Sequence, residues 1–245
     1  MKYFHKEALN DKWLIEEIFN YKKNGYFIDA GALNGISNNA TYLLETKYDW
    51  KGICIEPSSF YNKLKQNRNC ITVNKCLLDK NNKVEFIECV DRMTVSGVHE
   101  KLLELEKKSI DNQKERISFG CNPIKDYFRH TTQIKKELES ITLLDLLNKY
   151  NAPETIEYLG LDIEGSEYCV LEHYFKNNKT YTILAITIEE TYCNKLLEKN
   201  GYIHVKNKTI NSSLKTSIII VNMLQINLLQ CTLVYNILNL YTTRN

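Results

Sequence analysis

Four acidic residues stand where apolar runs end: Asp29 in Tyr26–Ala30, Glu56 after Gly52-Ile-Cys-Ile55, and Asp162 and Glu164 after Ile156–Leu161. Runs of this length and composition predict buried strands. In an open parallel sheet the C-terminal strand ends face one crevice, where ligands bind. The spacing therefore brings carboxylates from three strands to a single mouth. The turn Gly31-Ala-Leu-Asn-Gly35 follows the first of them. Glycines there let bare backbone approach a nucleotide-like ligand without a Cβ in the way.

The turn is not G-x-G-x-x-G, so it offers fewer bare positions for seating a pyrophosphate. Asp29, just before it, would repel phosphates. A cation suits it better, such as the sulfonium and α-amino group of S-adenosylmethionine. Glu56 lies about 20 residues beyond the turn, the spacing at which a carboxylate accepts both hydroxyl hydrogens of a ribose.

The elements that must position these groups can be read in order. A helix is expected over Ala8–Tyr21, with Leu9, Trp13, Leu14 and Ile18 near helical spacing, and Gly25 ends it. Strand one follows, then a helix over Ser37–Thr46 with Ser37 or Asn38 as its N-cap. Strand two stops at Glu56-Pro57. Phe60–Asn67 reads as a helix, Ile71–Leu78 as strand three and Lys83–Cys89 as a strand or hairpin arm. From His99 to Ser140 charges dominate and Gly120 and Pro123 interrupt any pattern, which reads as a lid-like insertion or a solvated helix and loop. Thr142-Leu-Leu-Asp145 is a capping box that opens a short helix. Strand Ile156–Leu161, helix Ser166–Phe175, strand Thr182–Ile188, helix Thr191–Lys199 and strands near Tyr202–Val205 and Ser217–Val221 complete the layout. Alternating strands and helices predict an α/β fold with a doubly wound, mostly parallel sheet over residues 1–221.

Residues 222–245 stand apart, because no charge occurs between Lys215 and Arg244. Asn222, Gln225, Thr232, Asn236 and Asn239 share one arc of a helical wheel, so an amphipathic helix packed on the domain or on a partner is expected. Membrane contact through this uncharged stretch of about 28 residues, about 42 Å long if helical, and a homodimer are the alternatives it leaves open.

Composition narrows the function classes. A net charge of +2 gives no electrostatic case for nucleic acid. The eight cysteines form no C-x-x-C pair and no zinc spacing, which points to reduced buried thiols. Residues 1–20 carry charges throughout and show no signal peptide, so a cytoplasmic protein is expected. The Asn-x-Ser/Thr triplets at Asn39, Asn178, Asn207 and Asn211 are taken as chance in an Asn-rich chain.

Together, FIDAGALNGISNNATYLLE, WKGICIEP with its following helix, and IEYLGLDIEGSEYCVLE resemble the FkbM-type methyltransferases. The TLLDLLNKY helix resembles the segment that precedes the last motif in that family. The resemblance spans about Ala8 to Tyr192 and implies a Rossmann-like class I methyltransferase fold with S-adenosylmethionine as methyl donor. It also implies O-methylation of a small acceptor or glycan, often at a sugar hydroxyl. Carried over by position, Asp29, Gly31, Ala32 and Gly35 would line the methionine part, Glu56 the ribose, and Asn38 would contact or support the cofactor. Asp162 and Glu164 would lie where methyl and acceptor meet. Asn34 stands where an acidic residue is common, and Ala40 where a Thr often follows Ser-Asn.

A sugar hydroxyl is a weak nucleophile, so a carboxylate or His acting as base is expected to help. Strand-end alternation would send Asp162 and Glu164 into the crevice and Ile163 away from it. The structural role open to Glu164 is to cap the next helix, with Gly165 as a tight turn. His99 or His130 could also serve as base. A divalent metal on Asp162, Glu189 and Glu190 is considered but not favoured. Two other functions compete: a nucleotide-dependent oxidoreductase on the same sheet, and a non-catalytic scaffold that kept the fold.

Overall fold

Apolar, β-branched runs become the strands of a central sheet, and the polar-faced segments between them become its helices. The computed structural model describes residues 2–5, 9–91, 96–104, 132–188, 191–209 and 216–222. Its strands are β1 (Tyr26–Ala30), β2 (Lys51–Ile55), β3 (Ile71–Val73), β4 (Cys76–Leu78), β5 (Lys83–Cys89), β6 (Gly97–Val98), β7 (Gln133–Thr142), β8 (Thr155–Leu161), β9 (Thr182–Ile188), β10 (Tyr202–Thr209) and β11 (Thr216–Asn222). Its helices are α1 (Asn10–Trp13), continued by a π turn over Leu14–Ile18, α2 (Tyr42–Tyr48), α3 (Tyr61–Asn67), α4 (Leu143–Lys149), α5 (Glu167–Asn177) and α6 (Asn194–Lys199). Of the lid-like insertion expected over 99–140, residues 105–131 lie outside the described residues, as does the tail beyond Asn222.

Seven strands form the central sheet in the order β10-β11-β9-β8-β1-β2-β3. β9, β8, β1, β2 and β3 run parallel, while β11 is antiparallel to both β9 and β10. Side chains along β1 and β2 alternate between two apolar layers. Phe27 and Cys54 join Leu43 and Leu44 of α2 on one face. Ile28, Ala30, Ile53 and Ile55 join Leu146 of α4 and Leu171 of α5 on the other. Asp29 falls on the Phe27 face, the side of α2.

The chain departs from the expected layout at three places. Ile71–Leu78 is not one strand. Asn74 donates its side-chain amide to the carbonyls of Glu56 (2.8 Å) and Pro57 (3.2 Å), which ties the break to the end of β2. Past that break, β4 leaves the central sheet and pairs with β7. The helix expected from Ser37 starts only at Tyr42, because residues 38–41 are used in a turn around Asp29. The charged stretch ends in a strand, β7, which pairs with β5 from Lys83↔Glu139 to Cys89↔Gln133. Much of its charge sits on an exposed face, in the ion pairs Lys83–Glu137 (2.7 Å) and Lys135–Glu85 (3.0 Å). That face hides the period-2 pattern. With β4 and β6 these strands form a second sheet, β4-β7-β5-β6.

Half of the expected capping box forms, and Asn81 supplies the other half. Thr142 Oγ1 accepts from the Asp145 N–H (3.1 Å), while the Thr142 N–H donates to Asn81 Oδ1 (2.9 Å) rather than to Asp145. Among the described residues no helix is long and apolar enough to cross a membrane.

Candidate active site

β1, β2 and β8 lie side by side, and the loops that leave them meet at one mouth. The register places Asp29 beside Cys54 of β2 and beside Gly160 of β8. Gly31 takes φ +85°, and a Cβ built on it would lie 2.0 Å from the Asp162 carbonyl oxygen. Only glycine lets the two loops approach this closely.

The glycine turn uses its own N–H groups. Gly31 and Ala32 both donate to the Ile55 carbonyl (3.0 and 3.1 Å), and Leu33 donates to Glu56 Oε2 (2.8 Å). Gly35 donates to Ala32 O (2.8 Å), while Ile36 and Ser37 both donate to Asn34 Oδ1 (3.0 and 2.9 Å). Asn34, the departure from the acidic pattern, thus serves as the acceptor of an Asx turn, a role a carboxylate would fill in the same way. The following helix offers no bare end either, since Asn39 Oδ1 accepts from Thr41 N (3.0 Å) and Tyr42 N (2.9 Å).

Asp29 is 8% exposed and is held through one oxygen: Oδ2 accepts from Thr41 Oγ1 (2.6 Å) and Asn39 Nδ2 (2.8 Å). Among the described residues no donor reaches Oδ1. Behind this pair lies Arg68, buried after α3, whose guanidinium donates to Gly35 O (3.1 Å), Asn39 Oδ1 (3.1 Å), Thr41 Oγ1 (3.0 Å) and Glu45 Oε2 (2.5 Å). A Cβ on Gly35 would lie 2.7 Å from both Arg68 Cγ and Leu64 Cδ1, so Gly35 makes room for this cation. Asn38, expected at the cofactor, lies on the turn at φ 53° with its N–H on the Phe4 carbonyl (3.1 Å). The groups that hold Asp29 come from Asn39 and Thr41. Thr41 supplies its hydroxyl one residue after Ala40, where a Thr was looked for.

Glu56 is 3% exposed. Its Oε2 takes the Leu33 N–H and its Oε1 takes the Ser58 N–H (2.8 Å). Burial pushes its pKa up, the Ser58 and Leu33 donors pull it down, and the charge of Glu88 adds to the rise, which remains the net result.

At the third strand end, Asp162 is exposed and sits just past β8, its N–H on the Ala30 carbonyl (3.1 Å). Strand alternation stops there, because Glu164 (φ 50°) and Gly165 (φ 101°) form a left-handed turn. Ile163 still packs toward the core. Glu167, not Glu164, caps this turn. It is 1% exposed, and its Oε1 accepts from Ile163 N (3.0 Å), while its Oε2 accepts from Gly165 N (2.9 Å) and Tyr192 OH (3.1 Å). Burial raises its pKa despite those donors. Glu164 lies instead against β6, its Cβ 3.2 Å from the position a Cβ on Gly97 would take.

His99 Nδ1 lies against the Glu85 carboxylate on the second sheet. His130, Glu189 and Glu190 lie outside the described residues. Among the described residues no cluster of three His, Cys, Asp or Glu could hold a metal ion.

Sequence reasoning missed Asn39, Thr41, Arg68 and Glu167. A signal existed for the first two, since they are the Asn-x-Thr triplet set aside as chance, here turned inward.

Among solved structures the chain is similar to a precorrin-6y C5,15-methyltransferase from Geobacter metallireducens GS-15. The two share 12% identity over 88% of this chain and 86% of that one, with a TM-score of 0.39. No curated protein matches the chain. Residues 29–215 match the family described as the methyltransferase FkbM domain. This span starts at Asp29 and takes in Glu56 and the D-x-E-G-x-E turn, and the chain accordingly belongs to the FkbM methyltransferase domain family, with its Rossmann-like class I fold.

Proposed function

We propose that the protein is an S-adenosylmethionine-dependent O-methyltransferase whose acceptor is a hydroxyl of a sugar or related small molecule. The observation that carries the donor assignment is the state of the glycine turn. Its N–H groups at Gly31, Ala32, Leu33, Gly35, Ile36 and Ser37 are committed within the protein, and a buried carboxylate stands in front of it. A pyrophosphate needs such N–H groups free at a helix N-terminus. A sulfonium and an ammonium need carboxylate and carbonyl oxygens instead. This argues against the dinucleotide oxidoreductase.

The residues fit the donor in three ways. Gly31 lets the Asp162 backbone close against the glycine turn, so that both line one mouth. Asp29 is fixed through Oδ2, which leaves Oδ1 for an ammonium. Each Glu56 oxygen holds one backbone N–H and has a second acceptor position for a ribose hydroxyl. When bound, S-adenosylmethionine supplies an electrophilic methyl on sulfur. Asp162 and Glu164, at the third strand end, are the carboxylates to take the acceptor's proton, a contribution of about 10²–10⁴-fold. The sugar hydroxyl rests on the usual chemistry of the family, and the base role on the position of these two carboxylates.

The test is methyl transfer from radiolabelled S-adenosylmethionine to a panel of mono- and oligosaccharides. Transfer to hydroxyls, lost in Asp162→Asn and Glu164→Gln while donor binding persists, is expected. Transfer unchanged in both variants would remove their catalytic role, and transfer to nitrogen or carbon acceptors alone would remove the hydroxyl assignment.

A further inference from the structure

The turn after β2 is held by two carboxylates, not one. The Ser58 N–H goes to Glu56 Oε1 (2.8 Å), and the next N–H, that of Ser59, goes to Glu88 Oε1 (3.2 Å), which also accepts the Ser59 hydroxyl. Both carboxylates are buried, each 3% exposed. Glu88 comes from β5 of the second sheet, and Lys136, diagonally across on β7, donates to its other oxygen, Oε2. Of these two neighbouring buried carboxylates, Glu88 is the one that Lys136 pairs with.

We infer that Lys136 is a positioning residue for the donor site: by neutralising Glu88 it lets Glu56 stay ionised to accept the ribose hydroxyls. This rests on the donor reading above. Like charges in a buried site cannot both persist without compensation. Burial works against the charge on Glu88, and Lys136 and the Ser59 donors outweigh it, holding its pKa below the usual range. Among the described residues no cation pairs with Glu56, and the Glu88 charge is among the causes that raise it. Among the described residues Cys76 on β4 also faces Glu56, pushed up to about 12 by burial and then by the Glu56 charge, so it stays neutral. Removing Lys136 leaves Glu88 and Glu56 to compete for one ionisation. The second sheet thereby becomes part of the ribose end of the site, although neither Glu88 nor Lys136 comes from the motifs that mark the family.

The experiment is calorimetric titration with S-adenosylmethionine from pH 5 to 8 on three proteins: wild type, Lys136→Met, and Lys136→Met with Glu88→Gln. A glutamine at 88 keeps an oxygen for the Ser59 donors and removes the charge. We expect Lys136→Met to weaken binding about tenfold near neutrality, with the acid-side loss of affinity moved to higher pH. The double variant should return both toward wild type. A purely packing role for Lys136 predicts no rescue, so a double variant as weak as the single one overturns the inference. So does a Lys136→Met protein that matches wild type in affinity and pH profile. Absence of binding by wild type itself would instead remove the donor reading, and this inference with it.

Discussion

Gly31 and Asp162 meet across the mouth of the sheet, close enough that a Cβ on Gly31 would lie 2.0 Å from the Asp162 carbonyl oxygen. Asp162 N–H is itself anchored on Ala30 O (3.1 Å), so the backbone it belongs to cannot simply retreat. The glycine turn and the D-x-E-G-x-E turn are therefore one unit built from two sequence-distant strand ends.

Gly31→Ala should break that unit. Its φ of +85° alone costs a residue with a Cβ about 1–2 kcal/mol, before the clash is counted. A lower urea midpoint and at least tenfold weaker S-adenosylmethionine binding are expected. A variant with wild-type affinity would mean that the close approach is not needed for the site.

The hydroxyl of Thr41 and the guanidinium of Arg68 should carry stability as well as donor binding. Thr41→Val removes a donor to Asp29 and an acceptor for Arg68, and stranding buried polar groups costs about 1–3 kcal/mol. Arg68→Met leaves the Glu45 carboxylate, 9% exposed, without its cation, a loss of about 3–5 kcal/mol. Urea unfolding checks the ranking, and Thr41→Val costing more than Arg68→Met would contradict it.

Glu167 predicts a definite pH trend. Its folded-state pKa is raised above the ordinary 4.5, so the folded protein holds that proton more tightly than the unfolded chain. The stability it contributes is present below pH 4.5 and is lost as the pH rises through the raised value. Glu167→Gln cannot titrate there. It also turns an amide toward the Ile163 or Gly165 N–H, so it should be less stable overall. The wild-type advantage over Glu167→Gln should shrink as pH rises from 4.5, as measured by urea unfolding across that range. An advantage that grows with pH would reverse the assignment.

Much of this was legible in the chain because it is local. The three strand ends, the two glycines and the Asp-x-Glu-Gly turn lie within continuous motifs, and apolar runs such as Thr182–Ile188 fall where expected. What escaped depends on contacts between distant segments. Arg68 is one cation at the end of a polar helix, and nothing nearby says that Gly35, thirty-three residues earlier, leaves space for it. Asn39-Ala-Thr41 reads as an exposed triplet until Asp29 is placed beside it. The break at Asn74 needs the Glu56 and Pro57 carbonyls, and β7 needs β5 before its alternation stands out from its charges. Glu167 was seen in the motif but not its direction, since its three donors converge only once the left-handed turn has formed.

The central claim is that this mouth takes a sulfonium donor and not a dinucleotide. Calorimetric titration of the purified chain with S-adenosylmethionine and, separately, with NAD tests it directly. Saturable one-to-one binding of S-adenosylmethionine, lost in Asp29→Ala, with no heat from NAD, is the predicted result. Binding of NAD with none of S-adenosylmethionine would contradict it.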